Sequence, residues 1–381
     1  MRRDWAAWNP AGAEAPWTVG VEEEVMLLDP VTWMPASRSE EVLEALAPAI
    51  SDHTAAETHG SVLELATSPH ATVAGAAEQL ADLRLGLADQ LGSMGMAAAV
   101  GGTHPLASWE DTEVSPGARY QFLYASMREL ARREPTFALH VHVAVPDEHA
   151  AVRALDGLRE ELPLLLALSA NSPYWQGRDS GLASARIPVF QAFPRTGTPR
   201  AFGTYETYVE AVDVLIRCDA IPEPTFLWWD ARLQPRLGTI EIRIMDAQTR
   251  VRDTAALAAL VQCLVRREAL GDGTRRPTAP EVLEENRFLA ARDDMDARFV
   301  DPVVGARVPV AERLAETLHS CAPHAEELGC RAELASVAAL AKHPGALRQR
   351  AVASRPEGLP GVLRVMNGEF VSALAEPAAL A

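Results

Sequence analysis

GVEEEVMLLD, residues 20–29, places three consecutive acidic residues inside an otherwise apolar stretch. The apolar residues predict a β-strand. Alternate side chains of a strand share one face, so Glu22 and Glu24 point the same way, about 6.6 Å apart. Two carboxylates on one face of a buried sheet repel each other and lose hydration, which a hard divalent cation such as Mg²⁺ would compensate. Taken alone, the run fits a solvated acidic edge strand equally well. In the metal-site interpretation Glu23 points away and is replaceable, unless it anchors a structural Arg behind the sheet.

The composition indicates a globular, acidic chain of 381 residues. Its 48% hydrophobic content supports a large core, and the length suits one large domain or two ordinary ones. The net charge of −17 argues against binding to nucleic acid or to an anionic membrane surface. No stretch approaches the roughly 20 apolar residues of a membrane span, and the N-terminus lacks the apolar core of a signal peptide. The four cysteines show no CxxC spacing, which favours reduced thiols in a cytoplasmic protein.

The distribution of apolar residues predicts the order of strands and helices. We expect strands at residues 17–28, 62–67, 94–100, 137–145, 225–230 and 239–245. Helical spacing predicts helices at 72–91, 119–133 and 149–170, the last kinked or divided by Pro163. Beyond Asp253 the composition predicts helices to the end. The sequence therefore predicts an α+β fold with an antiparallel sheet. We expect a single domain, 1–381, with a mixed part at about 17–250 and a helical part at about 251–381.

Two further acids and two histidines lie in or beside predicted strands. Glu57 and Glu64 flank a short segment, and Glu64 lies in an apolar strand where an ionised carboxylate does not stay unpaired. A core Arg, or the wet face of the sheet, would satisfy Glu64 as well as a metal. His140 and His142 share one strand face, as paired histidines do in metal sites. A core His bonded to a backbone carbonyl is the commoner outcome.

A late strand repeats the pattern of charge within an apolar run. Glu241 and Arg243 share a face, so they could simply form a salt bridge. Alternatively, Glu241 binds a metal and Arg243 binds a phosphate through its planar donor group. A long Pro/Gly-rich loop adds Arg186 and Arg195 as anion-binding candidates, and a later helix adds Arg292. The sequence contains no P-loop, no HExxH and no GxSxG, which argues against the enzyme classes that depend on those motifs.

Several motifs, in this order along the chain, resemble the carboxylate-amine ligase family, also called glutamate–cysteine ligase type 2. They are GVEEE (20–24), residues 139–146, SANSP (169–173), FPRTG (193–197), WWD (228–230) and residues 238–249. The resemblance covers about residues 17–300. Relatives of this family include the larger glutamate–cysteine ligases and, more distantly, glutamine synthetase.

The resemblance implies a fold and a set of site residues. The implied fold is a glutamine synthetase-like α+β fold, with the sheet curved into an open funnel and helices packed outside. The implied site holds Mg²⁺ or Mn²⁺ through Glu22, Glu24, Glu57, Glu64, His142 and Glu241. Arg243 would contact the γ-phosphate of ATP and be catalytic together with Glu241. By the same resemblance Arg186 and Arg195 would lie in the substrate loop. Arg292, on the later predicted helix and outside the motifs of the resemblance, is predicted to contribute to ATP binding.

The implied function is ATP-dependent amide-bond formation through an acyl phosphate, with glutamate and cysteine giving γ-glutamylcysteine. The expected partners are ATP, glutamate and a small amine such as cysteine, with no nucleic acid and no membrane, and the resemblance suggests a homodimer. Ala185 and Val189 depart from the family pattern in the acceptor-side loop, so a different amine stays open. A metal-dependent hydrolase without ATP fits the residues less well, and a non-catalytic scaffold less well again.

Overall fold

The computed structural model describes residues 3–132, 135–273 and 278–372. Its strands, in chain order, are β1 (Val19–Leu28), β2 (Thr54–Ala56), β3 (Val62–Ala66), β4 (Ala97–Ala99), β5 (Ala138–Ala144), β6 (Tyr174–Trp175), β7 (Arg178–Asp179), β8 (Thr196–Gly197), β9 (Trp228–Trp229), β10 (Ala231–Gln234), β11 (Thr239–Asp246), β12 (Arg298–Asp301) and β13 (Ala306–Pro309).

The α-helices, in chain order, are α1 (Ala11–Glu14), α2 (Ser39–Ala45), α3 (Pro48–Ser51), α4 (Val73–Ser93), α5 (Ala118–Met127), α6 (Glu129–Arg132), α7 (Glu148–Leu158), α8 (Leu162–Ser169), α9 (Arg186–Phe190), α10 (Tyr205–Arg217), α11 (Val251–Leu270), α12 (Pro280–Asp293), α13 (Val310–Leu328), α14 (Arg331–Lys342), α15 (Gly345–Ala353) and α16 (Gly358–Ser372). Short 3₁₀ helices cover Asp4–Ala6, Trp109–Asp111, Pro224–Phe226 and Asp294–Asp296.

Seven strands form one antiparallel sheet at the centre of the molecule. The order is β10-β11-β5-β1-β3-β2, and β4 pairs with the end of β1, beyond the part that β5 pairs. The central strand β1 therefore contacts three neighbours. The predicted α+β fold with an antiparallel sheet is confirmed.

The two faces of β1 have different surroundings. Val19, Val21 and Glu23 are buried, whereas the alternate residues Glu22 and Glu24 are only half-buried. The helices α4, α7, α8, α11 and α16 are among those that contact strands of the sheet. Glu23 pairs with Arg84 of α4, so the odd-numbered residues of β1 face the helical layer. Glu22 and Glu24 therefore project from the opposite face of the strand.

Local sequence features explain where helices of this layer begin and which of their side chains are buried. Thr72 begins α4 by accepting a hydrogen bond from the Gly75 N–H at 3.2 Å, and Leu80, Leu87 and Leu91 of this helix are fully buried. Helix α11 is buried on almost every side because it contacts α4, α7, α13 and α14 as well as the sheet. No helix in the described parts of the chain has the length and apolar character that crossing a bilayer requires.

The structure divides the helix expected at 149–170. Helix α7 ends at Leu158 and α8 begins at Leu162, with Pro163 in the first turn of α8. A proline is tolerated there because the first backbone N–H groups of a helix have no partner within it. The helix expected at 119–133 is also divided, by Arg128 with a φ of 58°. Residue 133 lies outside the described residues.

Two other expectations about secondary structure are wrong. The segment 225–230 is not one strand: a 3₁₀ helix, Pro224–Phe226, precedes the two-residue strand β9, and the unexpected strand β10 follows. The C-terminal part is not wholly helical, because β12 and β13 form an antiparallel pair between α12 and α13. Such short strands lack enough alternating residues to register as a pattern. The assignment of the chain to one domain stays a prediction.

Leu65 of β3 provides a test of the helix-covered face. It is 0% exposed and pairs in register with Glu23. We expect Leu65→Ala to lower the free energy of unfolding by about 2–5 kcal/mol, because it leaves a cavity in the core. Leu347→Ala in α15 is the matched control, since Leu347 is 50% exposed, and should change stability by less than about 0.5 kcal/mol. Equal effects in denaturant titrations of the two variants would contradict this assignment.

Candidate active site

Antiparallel pairing gathers acids and histidines from four neighbouring strands. The register places Glu24 opposite Glu64, Glu22 opposite His140, and His142 opposite Glu241. Directly opposite residues in antiparallel strands have Cβ atoms about 4.5–5.5 Å apart. The side chains therefore meet on the face that the helices leave open.

These side chains form a continuous row of ligand-type atoms. Three overlapping groups each offer ligand atoms within 4.8 Å of one another: Glu24, Glu57 and Glu64; Glu22, Glu64 and His140; and Glu22, His142 and Glu241. Glu22 and Glu64 each belong to two groups, so the three groups are linked. All six metal ligands predicted from the sequence lie in this row, and His140 joins them.

Glu22 lies between the two histidines. Its Oε2 is 3.2 Å from His140 Nδ1, and its Oε1 is 3.2 Å from His142 Nε2. Burial opposes its ionisation, but the charge of His142 and hydrogen bonds with both histidines hold the pKa of Glu22 well below its usual range. Burial, together with the charge of Arg243, lowers the pKa of His140 to about 4. An ionised Glu22 and a neutral His140 are the forms that bind metal.

At the other end of the row, the carboxylates of Glu24, Glu57 and Glu64 lie close together, with too little positive charge nearby to balance them. Burial and the charge of Glu57 raise the pKa of Glu24 to about 8, even though the Ala138 N–H donates to Glu24 Oε2 at 2.6 Å. Burial and the charges of Glu22, Glu57 and Glu24 raise the pKa of Glu64 well above its usual range. A bound divalent cation would relieve this repulsion, and carboxylate oxygens are the ligands a hard cation prefers.

Glu241 is held by donors from its own hairpin. Arg232 Nε donates to Glu241 Oε2 at 2.9 Å, Gln234 Nε2 donates to the same oxygen at 2.6 Å, and Arg243 Nη1 contacts Oε1. Although burial opposes ionisation, Arg232 and Arg243 hold the pKa of Glu241 well below its usual range. The salt bridge that the sequence allowed is therefore present, and Glu241 still belongs to a candidate ligand group with Glu22 and His142.

A cavity of about 790 Å³, including its open mouth, adjoins the Glu24 end of the row. Its acids, bases and histidines are Glu24, Glu57, His59, His140, Arg119, Arg186 and Arg243, and its aromatic lining includes Tyr120, Phe190, Phe193, Phe226 and Trp228. The Nε atoms of Arg186 and Arg243 are buried and have no hydrogen-bond partner among the described residues. The cavity thus offers a cation site and two guanidinium groups for an anion within one enclosure.

The three arginines predicted to bind substrate or ATP have different positions. Arg186 lines the cavity, and its Nη1 and Nη2 donate to the carbonyls of Ile244 and Arg243 at 3.1 and 3.2 Å. Arg195 is outside the lining, with its guanidinium 5.0 Å from the centroid of the Trp228 ring.

Arg292 is exposed at the end of α12 and pairs with Asp293 at 2.7 Å. The geometry therefore supports Arg186, places Arg195 beside one of the aromatic rings that line the cavity, and gives no support to Arg292. The ATP-binding role of Arg292 stays a prediction.

Glu23 points away from this site, as the strand alternation predicts. It is not free, because Arg84 Nε donates to Glu23 Oε1 at 2.8 Å and both side chains are 0% exposed. Glu23 therefore anchors a structural Arg behind the sheet, which is the condition under which the sequence predicts that it is not replaceable. Its replacement is not expected to be neutral.

Sequence reasoning missed several residues of the site. The strand spacing makes His140 a ligand candidate, but of the two histidines the ligand set implied by the family resemblance includes only His142. Arg232 and Gln234 lie in β10, which was not expected as a strand; their alternation in a four-residue segment was the only available signal. Tyr120 comes from α5, where no motif marks it.

Comparison with known proteins identifies the family. A model described as glutamate-cysteine ligase family 2 matches residues 18–373. The chain belongs to the glutamate–cysteine ligase family 2. It is 38% identical over 338 residues to "Putative glutamate--cysteine ligase 2-1" of Rubrobacter xylanophilus, covering 88% of this chain and 90% of that protein. It is 42% identical over 355 residues to "Putative glutamate--cysteine ligase 2-3" of the same organism, covering 92% and 96%.

A solved structure shows the same fold. The glutamate–cysteine ligase of Francisella tularensis, solved in complex with AMP, superposes with a TM-score of 0.67 at 13% identity, covering 95% of this chain and 90% of that one. This family member is thus an ATP-dependent ligase that forms C–N bonds, as the sequence predicts. Such ligases use ATP with a divalent cation, and the oxygen-rich row fits that requirement. Membership argues against the hydrolase and scaffold alternatives.

The raised pKa of Glu24 predicts a pH dependence of the metal-free protein. A carboxyl group whose folded pKa lies above its unfolded value contributes stability that is present below the unfolded pKa and is lost as pH rises through the folded pKa. We therefore expect the metal-free chain to lose stability as pH rises from about 4.5, the usual pKa of a glutamate, to about 8, the folded pKa of Glu24, with no further loss from this group at higher pH.

Thermal melts across this pH range measure the effect. Glu24→Gln should flatten the dependence because its amide does not ionise, and saturating Mn²⁺ should abolish it in the wild type. The exposed Glu41→Gln is the control and should keep the wild-type slope. A slope that Glu24→Gln leaves unchanged would assign the titration to another group.

Proposed function

We propose that this ligase activates the γ-carboxylate of glutamate with ATP and joins it to an amine, with cysteine as the first candidate acceptor. The observation that carries the proposal is the linked row of carboxylates and histidines beside two arginines with unpartnered Nε atoms in one cavity. The names of the relatives support glutamate and cysteine as substrates.

The reaction has two steps. A carboxylate oxygen of glutamate attacks the γ-phosphorus of ATP, the bond to the bridging oxygen breaks, and ADP leaves. The amine then attacks the carbonyl carbon of the acyl phosphate, inorganic phosphate leaves, and the amine nitrogen loses a proton. Both steps need neutralisation of charge on phosphoryl oxygens more than they need a protein nucleophile.

The protein groups divide this task. Arg243 is fixed by Glu241, so its guanidinium is held in place before the phosphoryl group arrives and can stabilise charge that develops there. Arg186 is fixed by two backbone carbonyls and adds a second positive charge. Bound Mg²⁺ or Mn²⁺ would neutralise phosphate oxygens and orient them. Glu22, Glu24, Glu57, Glu64, His142 and Glu241 would hold these ions, with His140 as an additional ligand.

Other expectations stay proposals with indirect support. Curvature of the sheet into an open funnel fits a cavity bounded by the carboxylate face and by α5, α9 and β9. A cytoplasmic location fits the free thiols of all four cysteines. A homodimer rests on the family resemblance alone.

Release of ADP in the presence of glutamate, cysteine and Mg·ATP tests the reaction. We expect Glu24→Gln and Glu241→Gln to lower kcat by about 100-fold or more, because each removes a ligand charge and a preorganised interaction. Glu14→Gln, an exposed substitution in α1, is the control and should retain wild-type turnover. Wild-type turnover in both site variants would overturn the metal-site assignment.

A second candidate function keeps the chemistry and changes the acceptor. The cavity is lined by the aromatic side chains of Phe190, Phe193, Phe226 and Trp228. The Trp228 ring contacts those of Phe193 and Phe226, and the Phe193 ring also contacts that of Phe190, with centroids 5.5–6.0 Å apart in each pair. Arg119 lies over the Phe226 ring and is already paired with Glu223 at 2.7 Å. An acceptor-side wall of four aromatic rings favours an amine with an apolar or aromatic group.

A screen of amine acceptors separates the two candidates. Hydroxylamine traps any acyl phosphate as a hydroxamate, so it reports activation of glutamate independently of the natural acceptor. If the aromatic wall selects the acceptor, arylalkylamines or aromatic amino acids should give kcat/KM at least about tenfold above cysteine, the size expected for extra apolar contact. Trp228→Ala should remove that preference and leave the hydroxylamine reaction intact. Robust, specific turnover with cysteine would reject this second candidate.

A further inference from the structure

A fully buried arginine binds the back of the strand that carries Glu22 and Glu24. Arg84 of α4 donates from Nε to Glu23 Oε1 at 2.8 Å, and its Nη2 contacts Glu23 Oε2. Both side chains have no exposed surface. Glu23 is the residue between the two candidate ligands, so the position of this ion pair fixes the backbone from which both ligands project.

The same guanidinium also binds the chain that leaves β11. Arg84 Nη1 donates to the Thr249 carbonyl at 2.8 Å, and Nη2 donates to the Gln248 carbonyl at 2.7 Å. Strand β11 carries Glu241 and Arg243 on the opposite side of the site. One side chain therefore connects the two strands that carry the two ends of the ligand row.

This connection extends to the segment that carries Arg186. Asn171 Nδ2 donates to the Ala247 carbonyl at 2.8 Å and to Thr249 Oγ1 at 3.1 Å. The next residue, Ser172, accepts the Arg186 N–H on its Oγ at 3.2 Å. The turn that Arg84 binds thus also holds the segment from which Arg186 reaches the cavity.

Helix α16 closes over the guanidinium. The Phe370 ring centroid lies 5.2 Å from the Arg84 Cζ, and Glu369 pairs with Arg250. Asn367 Nδ2 donates to the Ala98 carbonyl of β4 at 2.8 Å, and β4 pairs with β1. The C-terminal helix is therefore attached to two direct neighbours of β1, through a cation–π contact with Arg84 and a hydrogen bond to β4, and to Arg250 through an ion pair.

The need to hold the candidate metal ligands in position explains this buried ion pair better than a contribution to folding stability does. Removing two charges from water costs several kcal/mol, and apolar side chains of similar volume often stabilise a core as well or better. A metal site, by contrast, needs its ligands held to within about 0.5 Å. A bidentate arginine that binds four acceptors can hold two strands at that precision.

We propose that Glu23 and Arg84 are positioning residues that set the spacing of the metal ligands, and that α16 supports them through Phe370. This inference rests on the proposed metal site. It assigns a role in that site to a C-terminal helix, and it predicts that metal affinity depends on residues that cannot contact the metal.

Titration with Mn²⁺ tests the proposal, followed by paramagnetic resonance of the free ion and by the Mn²⁺ dependence of thermal stability. We expect Glu23→Gln and Arg84→Lys to raise the half-saturating Mn²⁺ concentration by about 10–100-fold, the usual effect of losing a group that orients metal ligands. Phe370→Leu should raise it by a smaller factor. In turnover assays, the half-saturating Mg²⁺ concentration should rise more than kcat falls.

Glu161→Gln is the matched control. Glu161 pairs with Arg267 at 2.9 Å in a comparably buried site formed by helices, and it contacts none of the candidate ligands. Its loss should lower stability without changing Mn²⁺ affinity.

Three outcomes overturn the proposal. The first is a folded Glu23→Gln protein with wild-type affinity, or, if that variant does not fold, wild-type affinity in both Arg84→Lys and Phe370→Leu. The second is an equal loss of affinity in Glu161→Gln. The third is a wild-type chain that binds no Mn²⁺, which would reject the proposed metal site as well, whereas the first two leave that site intact.

Discussion

The site depends on the mutual repulsion of carboxylates that the sheet forces together. Glu24, Glu57 and Glu64 offer oxygen atoms within 4.8 Å of one another in a largely buried setting. The raised pKa values of Glu24 and Glu64 express the cost of this arrangement in the absence of a cation. In the proposed metal site a bound cation would offset this repulsion, which would couple metal binding to the folding of this face.

The row of ligands is not uniform in charge. At one end, Arg232 and Arg243 already neutralise Glu241, and the pKa of that carboxyl stays low. At the other end, burial and neighbouring carboxylates raise the pKa values of Glu24 and Glu64. In the proposed site, cation binding at the Glu24 end would therefore displace protons and strengthen as pH rises. The Glu241 end keeps Arg243 available for phosphoryl charge, because its Nε has no protein partner within the described residues.

The sequence predicted the parts of the structure that depend on local periodicity. The two-residue period of β1 separated Glu22 and Glu24 from Glu23, and the helical spacing of Leu80, Leu87 and Leu91 identified α4. The register could not be predicted, because pairing of Glu24 with Glu64 depends on contacts between strands far apart in the chain. Arg232 was missed because β10 has only four residues. The Arg84 contact was anticipated only as a condition on Glu23, since no pattern within α4 distinguishes a buried arginine from a solvated one.

The candidate ligand row and the aromatic wall of the cavity come from different parts of this fold. The ligand row is built on four paired strands, and a change in any one of them alters the register of its neighbours. The cavity's aromatic wall comes from α9, β9 and the chain around them, which are short connecting elements that tolerate substitution. The departures from the family pattern at Ala185 and Val189 fall in and beside α9, which contributes Phe190 to that wall. In the proposed function, the sheet therefore carries the groups for the reaction type, whereas separate short segments form the cavity wall that would select the amine.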